Sequence, residues 1–138
     1  MPKAVTVIAF DYGTRRVGAA VGNSLTQSGQ PLKTISSTNN ETLFQEIDRL
    51  LKEWQPDQLV VGRPLHLDGV AHDMTAKATR FGNQLHGRFQ MPVAWVDERY
   101  TSAVLKGNAE IHDNLDAHSA VLILEQYFAE QSVKSFSK

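Results

Sequence analysis

A mixed α/β fold, with antiparallel and parallel strands in one sheet and helices packed on it, is what this sequence predicts. Three observations lead there. A β-branched apolar run, "AVTVIAF" (4–10), is followed by two more strand-like stretches with no helix between them. After residue 38 the spacing of apolar residues changes from strand-like to helical. From there strand-like and helix-like segments alternate, as they do in parallel βαβ units.

Residues 5–10 are apolar without alternation, which predicts a strand buried on both faces. That strand ends in Asp11, and the tight turn "DYGTRR" leads into a second strand, "VGAAVG" (17–22), whose small residues suit close packing against a neighbour. A third strand near "PLKTIS" (31–36) completes an antiparallel meander. "TNNE" (38–41) is a capping-box pattern, and Leu43, Phe44, Ile47, Leu50, Leu51 and Trp54 follow at helical spacing until Pro56 and Asp57 stop the helix. "QLVVG" (58–62) is a fourth strand and "RPLHLDG" a loop. A second helix spans about Met74 to Phe89, with Met74, Ala78, Phe81, Leu85 and Phe89 on its apolar face. "PVAWVDE" (92–98) is a fifth strand, residues 101–113 read as a short helix and a loop, and "DAHSAVLILEQYF" (116–128) is a final apolar helix. Three strands, then helix, strand, helix, strand and helix, is the ribonuclease H-like arrangement: a mixed five-stranded sheet, a three-strand antiparallel meander plus two parallel strands, with helices on both faces. At 138 residues the chain is expected to be a single domain, 1–138, with a core of its own.

Composition narrows the partners. The net charge of -1 provides no global field for polyanions, so any nucleic-acid binding must come from a local patch. The absence of cysteine excludes disulfides and thiolate metal sites and fits a reducing compartment. No segment approaches the roughly 18 apolar residues of a membrane span. "AVTVIAF" runs straight into Asp11 and "TRR" without a small-residue cleavage pattern, so it reads as a strand and not as a signal core. A cytoplasmic protein with no membrane partner is expected.

Three carboxylates stand at informative places: Asp11 ends the first strand, Glu98 ends the fifth, and Asp116 opens the last helix. Ligand sites in such sheets gather at the carboxyl ends of parallel strands. Converging anions repel; two unit charges 4 Å apart cost on the order of 4 kcal/mol at an effective dielectric of 20. A bound cation relieves that repulsion, and oxygen-only ligands suit Mg2+ or Mn2+. Two such ions about 4 Å apart activate a water and stabilise the leaving oxygen of a phosphodiester. Each residue also has a plainer reading. Asp11 can accept backbone hydrogen bonds in its turn, Asp116 can cap its helix, and Glu98 can pair with Arg99 or Arg15 at the surface. Asp97 alternates to the opposite face from Glu98 and reads as structural. The five histidines are scattered, with no zinc spacing. Thr101 or Ser102 caps a helix after "DER" or touches a phosphate.

From Met74 to Val96 there is no acidic residue, and Lys77, Arg80 and Arg88 share one helical face with Gln84. A solvated face is the ordinary meaning of such a stripe. Arg15, Arg16, Arg63 and Arg99 sit in turns or loops expected near the carboxylates, where guanidinium groups can bridge substrate phosphates. Arg15, Arg16, Arg63, Arg99, Lys77 and Arg80 are thus the candidate nucleic-acid contacts.

The stretches "FDYGTRRVGAAVG", "LLKEWQPDQLVVGRPLHLDG", "VDERYTS" and "LDAHSAVLILEQYF" resemble the bacterial YqgF family, also called RuvX: Holliday-junction-resolvase-like proteins regarded as pre-16S ribosomal RNA nucleases. The resemblance covers nearly the whole chain in order. It implies a ribonuclease H-like fold and a divalent-metal nuclease site whose acidic positions fall on Asp11, Glu98 and Asp116. There are two departures. The segment "AVLKGNAEIHDNLD" is shorter than family members commonly carry, and Asn114 stands where a lysine is common, which bears on substrate binding.

The resemblance implies a hydrolase acting on phosphodiester bonds in 5′-end maturation of pre-16S ribosomal RNA, with the small-subunit precursor as partner. Kinship with resolvases offers branched DNA and a Holliday junction resolvase as the second reading. A resolvase should be a symmetric dimer; the sequence fits a monomer or a homodimer. A non-catalytic ribosome-assembly factor is a third reading, favoured by the altered loop. "DYGT" before a glycine-bearing strand also resembles the phosphate-binding hairpin of actin-like ATP-binding proteins, but those need two such lobes and this chain has one.

Overall fold

The computed structural model describes residues 4–64, 73–98 and 112–136, apart from the side chains of 64, 73, 98, 112–116 and 132–136. Strands β1 (Thr6–Tyr12), β2 (Arg16–Asn23), β3 (Gly29–Ser36), β4 (Gln58–Pro64) and β5 (Val93–Glu98) form one sheet in the order β3-β2-β1-β4-β5. The pairs β1–β2 and β2–β3 are antiparallel, and β1–β4 and β4–β5 are parallel. The meander followed by two parallel strands is the ribonuclease H-like sheet expected from the sequence.

Helices α1 (Asn40–Trp54), α2 (Asp73–Phe89) and α3 (His112–Phe136) cover both faces. Residues on alternate positions of a strand point to opposite sides, and the uninterrupted apolar run of β1 supplies both. Ile8 and Phe10 join Leu43, Phe44 and Ile47 of α1 and Ala78, Phe81 and Leu85 of α2 in one core. Val7 and Ala9 join Ala120, Ile123, Leu124 and Phe128 of α3 in the other. Strand β2 is divided in the same way, with Val17, Ala19 and Val21 on the α1–α2 side and Ala20 on the α3 side.

The ends of α1 depart from the sequence reading in an informative way. The capping-box pattern would make Thr38 the cap, yet Asn39 takes that place, its side-chain oxygen accepting from the Thr42 N–H at 3.1 Å. Asn is at least as good a cap as Thr, and Thr38 is left with a hydroxyl contact to Ser36 at 3.1 Å. At the other end Gln55 adopts the left-handed conformation, with φ 46°, and donates its N–H to Leu51. The chain then enters β4 through a reciprocal clamp. Asp57 donates its N–H to the Thr6 carbonyl at 2.8 Å, and its carboxylate accepts from the Thr6 N–H at 3.0 Å.

α2 is pinned by Phe81, which stacks on Tyr12 at 4.8 Å and meets Phe10 edge-on at 5.8 Å. At the next residue, Gly82 lies so close to Trp95 of β5 that a Cβ there would run into the indole ring. α3 is longer than the apolar pattern indicates and begins four residues before Asp116. No helix among the described residues is long and apolar enough to cross a membrane. The loop 65–72, Arg99 and the segment 101–111, with its expected short helix, lie outside the described residues.

Two outcomes follow for the packing. Gly82→Ala should destabilise the protein by about 1–3 kcal/mol, read as a lower urea midpoint at unchanged slope. Lys33 of β3 pairs with Glu46 of α1 at 2.7 Å, and its hydrogen bond and charge lower the Glu46 pKa below the ordinary 4.5. A lowered folded value means the pair stabilises above the unfolded value and loses that contribution as pH falls below about 4.5 through the folded value. Lys33→Met should therefore flatten the acid limb of a stability-against-pH curve, and an unaltered limb would count against the pairing.

Candidate active site

Because β1, β4 and β5 run parallel, their carboxyl ends open on the same end of the sheet. Asp11 sits there and is 4% exposed. Its neighbours on β1 show which way it faces. Val7 and Ala9 pack toward α3, while Tyr12 stacks on Phe81 of α2, so alternation turns Asp11 to the α3 side. The residue opposite it on β2 is Gly18, and opposite Gly18 on β3 is Thr34. The glycine beside the carboxylate is itself buried.

Glu98 closes β5 in register with Pro64. Ala94 and Val96 belong to the α3-side cluster, so strand parity assigns position 98 to the same sheet face as Asp11 and position 97 to the other. Asp97 bears this out: it pairs with Arg63 of β4 at 3.3 Å. Asp116 lies a full turn inside α3, which starts at His112, and so does not open that helix; the N-cap reading falls with this. Position 116 precedes by one turn Ala120, which is buried between α3 and the sheet. The side chains of Glu98 and Asp116 are outside the described residues, and among those described no three His, Asp or Glu gather around one point. Asp11 itself fits a hard divalent cation: it is an oxygen donor, and a carboxylate this far from water is costly unless positive charge offsets it.

The arginines separate into two groups. Arg15 is exposed at the tip of the β1–β2 turn, and Arg16 is half-buried opposite Ser36. That turn is tight, since a Cβ on Gly13 would stand 2.8 Å from the Arg16 carbonyl oxygen. Ser37 fastens it, donating its hydroxyl to the Gly13 carbonyl at 2.7 Å and its N–H to the Arg15 carbonyl at 2.9 Å. Sequence reasoning passes over Ser37; its only signal is a small hydroxyl residue directly after the third strand. Arg63 is held on the other face, paired with Asp97 and placed 5.2 Å from the centre of the Trp95 ring. Lys77 and Arg80 are on α2, which also covers that other face, and Arg88 of the same stripe lies over Phe44 at 4.2 Å. The shortened stretch after "DER" lies largely outside the described residues.

The sheet order and the buried acid at the end of its central strand define the class: a ribonuclease H-like α/β fold. RuvC of T. thermophilus, solved in complex with a Holliday junction substrate, shares it with a TM-score of 0.53 at 12% identity, over 93% of this chain and 96% of that one. The RuvX family, described as Holliday junction resolvase, matches residues 5–130, and the chain belongs to this family. A relative from Polynucleobacter necessarius subsp. necessarius (strain STIR1) is 73% identical over 126 residues, 91% of this chain and 86% of its own, and is named "Putative pre-16S rRNA nuclease". A relative of the same name from Burkholderia vietnamiensis (strain G4 / LMG 22486) is 52% identical over 136 residues, 92% of this chain and 91% of its own.

Ser37→Ala should cost about 1 kcal/mol of stability and speed amide exchange selectively in residues 12–17. Exchange there at the wild-type rate would mean that the turn holds itself.

Proposed function

We propose that this chain acts as one unit, 1–138, and is a divalent-metal-dependent endonuclease that hydrolyses phosphodiester bonds in 5′-end maturation of pre-16S ribosomal RNA. The observation that carries the reading is the buried Asp11 carboxylate at the carboxyl end of the central strand. The backbone positions of Glu98 and Asp116 belong to the same face of the sheet. The names of the relatives at 73% and 52% identity support the substrate.

In this reading Asp11, Glu98 and Asp116 hold Mg2+ or Mn2+. The metal, when bound, supplies an activated water and charge stabilisation at the leaving oxygen. Asp11 contributes a fixed anionic donor whose burial keeps its carboxylate from being displaced by water. Arg15 and Arg16 meet the phosphates of the incoming strand, and the Ser37 tether holds them to the sheet end where Asp11 lies. Arg63 serves chiefly to brace β4 against β5 through Asp97. Lys77, Arg80 and Arg99 are second-rank contacts for more distant nucleotides. The working compartment is the cytoplasm, where the small-subunit precursor is found.

Branched DNA is the second reading, favoured by the family's description as Holliday junction resolvase and by the fold shared with RuvC. Cleavage of a precursor 16S 5′ segment and of a four-way DNA junction, each with Mg2+, Mn2+ or chelator, distinguishes them. Asp11→Asn should lower cleavage by at least about a hundredfold, and should abolish the rise in thermal midpoint that Mg2+ gives the wild type. Binding without cutting, unchanged in Asp11→Asn, would replace the nuclease with a ribosome-assembly factor.

A further inference from the structure

On the Asp11 face of the sheet, β2 and β3 present a second feature, of which the proposed function uses only the two arginines. A cleft of about 520 Å³ is lined by Arg15, Arg16, Thr34, Ser36 and Thr38. Two cations and three hydroxyls are among its lining residues. The strand register puts these residues in order. Arg16 faces Ser36 across β2 and β3, and Thr34 faces Gly18, which in turn faces Asp11. On the same two strands Val17 and Ile35 point to the α1–α2 core, so Arg16, Thr34 and Ser36 share the side to which Asp11 turns. Thr34 therefore stands two strands from Asp11, roughly 10 Å away, with Gly18 as the β2 residue between them. The Arg16–Ser36 pair lies one step further toward the turn.

Ser36 and Thr38 are 3.1 Å apart, so one O–H is used between them and the other remains to donate. Thr38 is available because Asn39 caps α1 in its place. Ser37, between them, ties the cleft to the turn that carries both arginines. Guanidinium groups beside O–H donors suit a tetrahedral oxyanion.

We propose that this cleft seats a backbone phosphate of the substrate strand other than the one being cut. The inference rests on the nucleic-acid reading above and adds to it a positioning site built by Thr34, Ser36 and Thr38 with the two arginines. Holding the neighbouring phosphate fixes which bond lies over Asp11, which is a matter of register and not of chemistry.

The test uses the full chain and a labelled single-stranded RNA from the precursor 16S 5′ segment. In chelator, the double variant Ser36→Ala/Thr38→Ala should bind this RNA about tenfold more weakly than the wild type. Arg16→Gln should make the salt dependence shallower by about 0.7 in log–log slope for each phosphate it no longer neutralises. A walk of single methylphosphonate substitutions should find one non-scissile position that weakens wild-type binding and has no further effect in the double variant. With Mg2+ the double variant should raise KM several-fold while kcat stays within about twofold. Wild-type affinity in the double variant, or a methylphosphonate penalty that persists in it at full size, would overturn the cleft while leaving cleavage by the wild type to stand. Binding that behaves as described with no cleavage by the wild type would instead sustain the cleft and remove the nuclease.

Discussion

A carboxylate almost entirely withdrawn from water, at the end of a strand that is itself buried on both faces, constrains everything around it. Asp11 is 4% exposed in a sheet whose central strand has helices on either side. Holding an ionised group there is unfavourable unless positive charge or hydrogen bonds meet it. The strands beside β1 are built accordingly. β4 runs parallel and delivers its own end to the same place, and β2 places the buried Gly18 in the row of the acid. A cost borne at one position is what one expects where structure serves chemistry and not stability alone.

The two faces of the sheet divide the work at this end. On the α1–α2 face, Arg63, Asp97 and Trp95 form a brace between β4 and β5, and the close approach of Gly82 brings α2 down on the same indole. On the α3 face lie Asp11, the Arg16–Ser36 row and the turn fastened by Ser37. The division follows from strand alternation. A single residue step exchanges an arginine locked in an ion pair for a position beside the acid.

The element pattern is legible in the sequence because it rests on local rules. The apolar run of β1, the helical spacing from Leu43 to Trp54 and the Pro56–Asp57 stop each carry their own signal, and all five strands are where those signals put them. Boundaries set by competition between neighbours are less so. Thr38 and Asn39 are both good caps, and the choice depends on whether Thr38 has another partner; in the fold it has Ser36. An aspartate before an apolar run is a good cap and points to a start of α3 at Asp116, whereas the helix continues back to His112 through residues with little apolar pattern of their own. Alternation alone is enough to separate Asp97 from Glu98.

By itself the sequence determined the fold class, the order of elements and the three carboxylates worth following, because periodicity, turn residues and an acid at a strand end are local in the chain. It also carried the family, through stretches spread over nearly its whole length. Only the tertiary structure decided that Arg63 is engaged by Asp97 while Arg16 faces Ser36, and that Gly18 and Thr34 extend the row of Asp11 across the sheet. Those relations depend on register between strands far apart in sequence, and register is fixed by which faces are buried together.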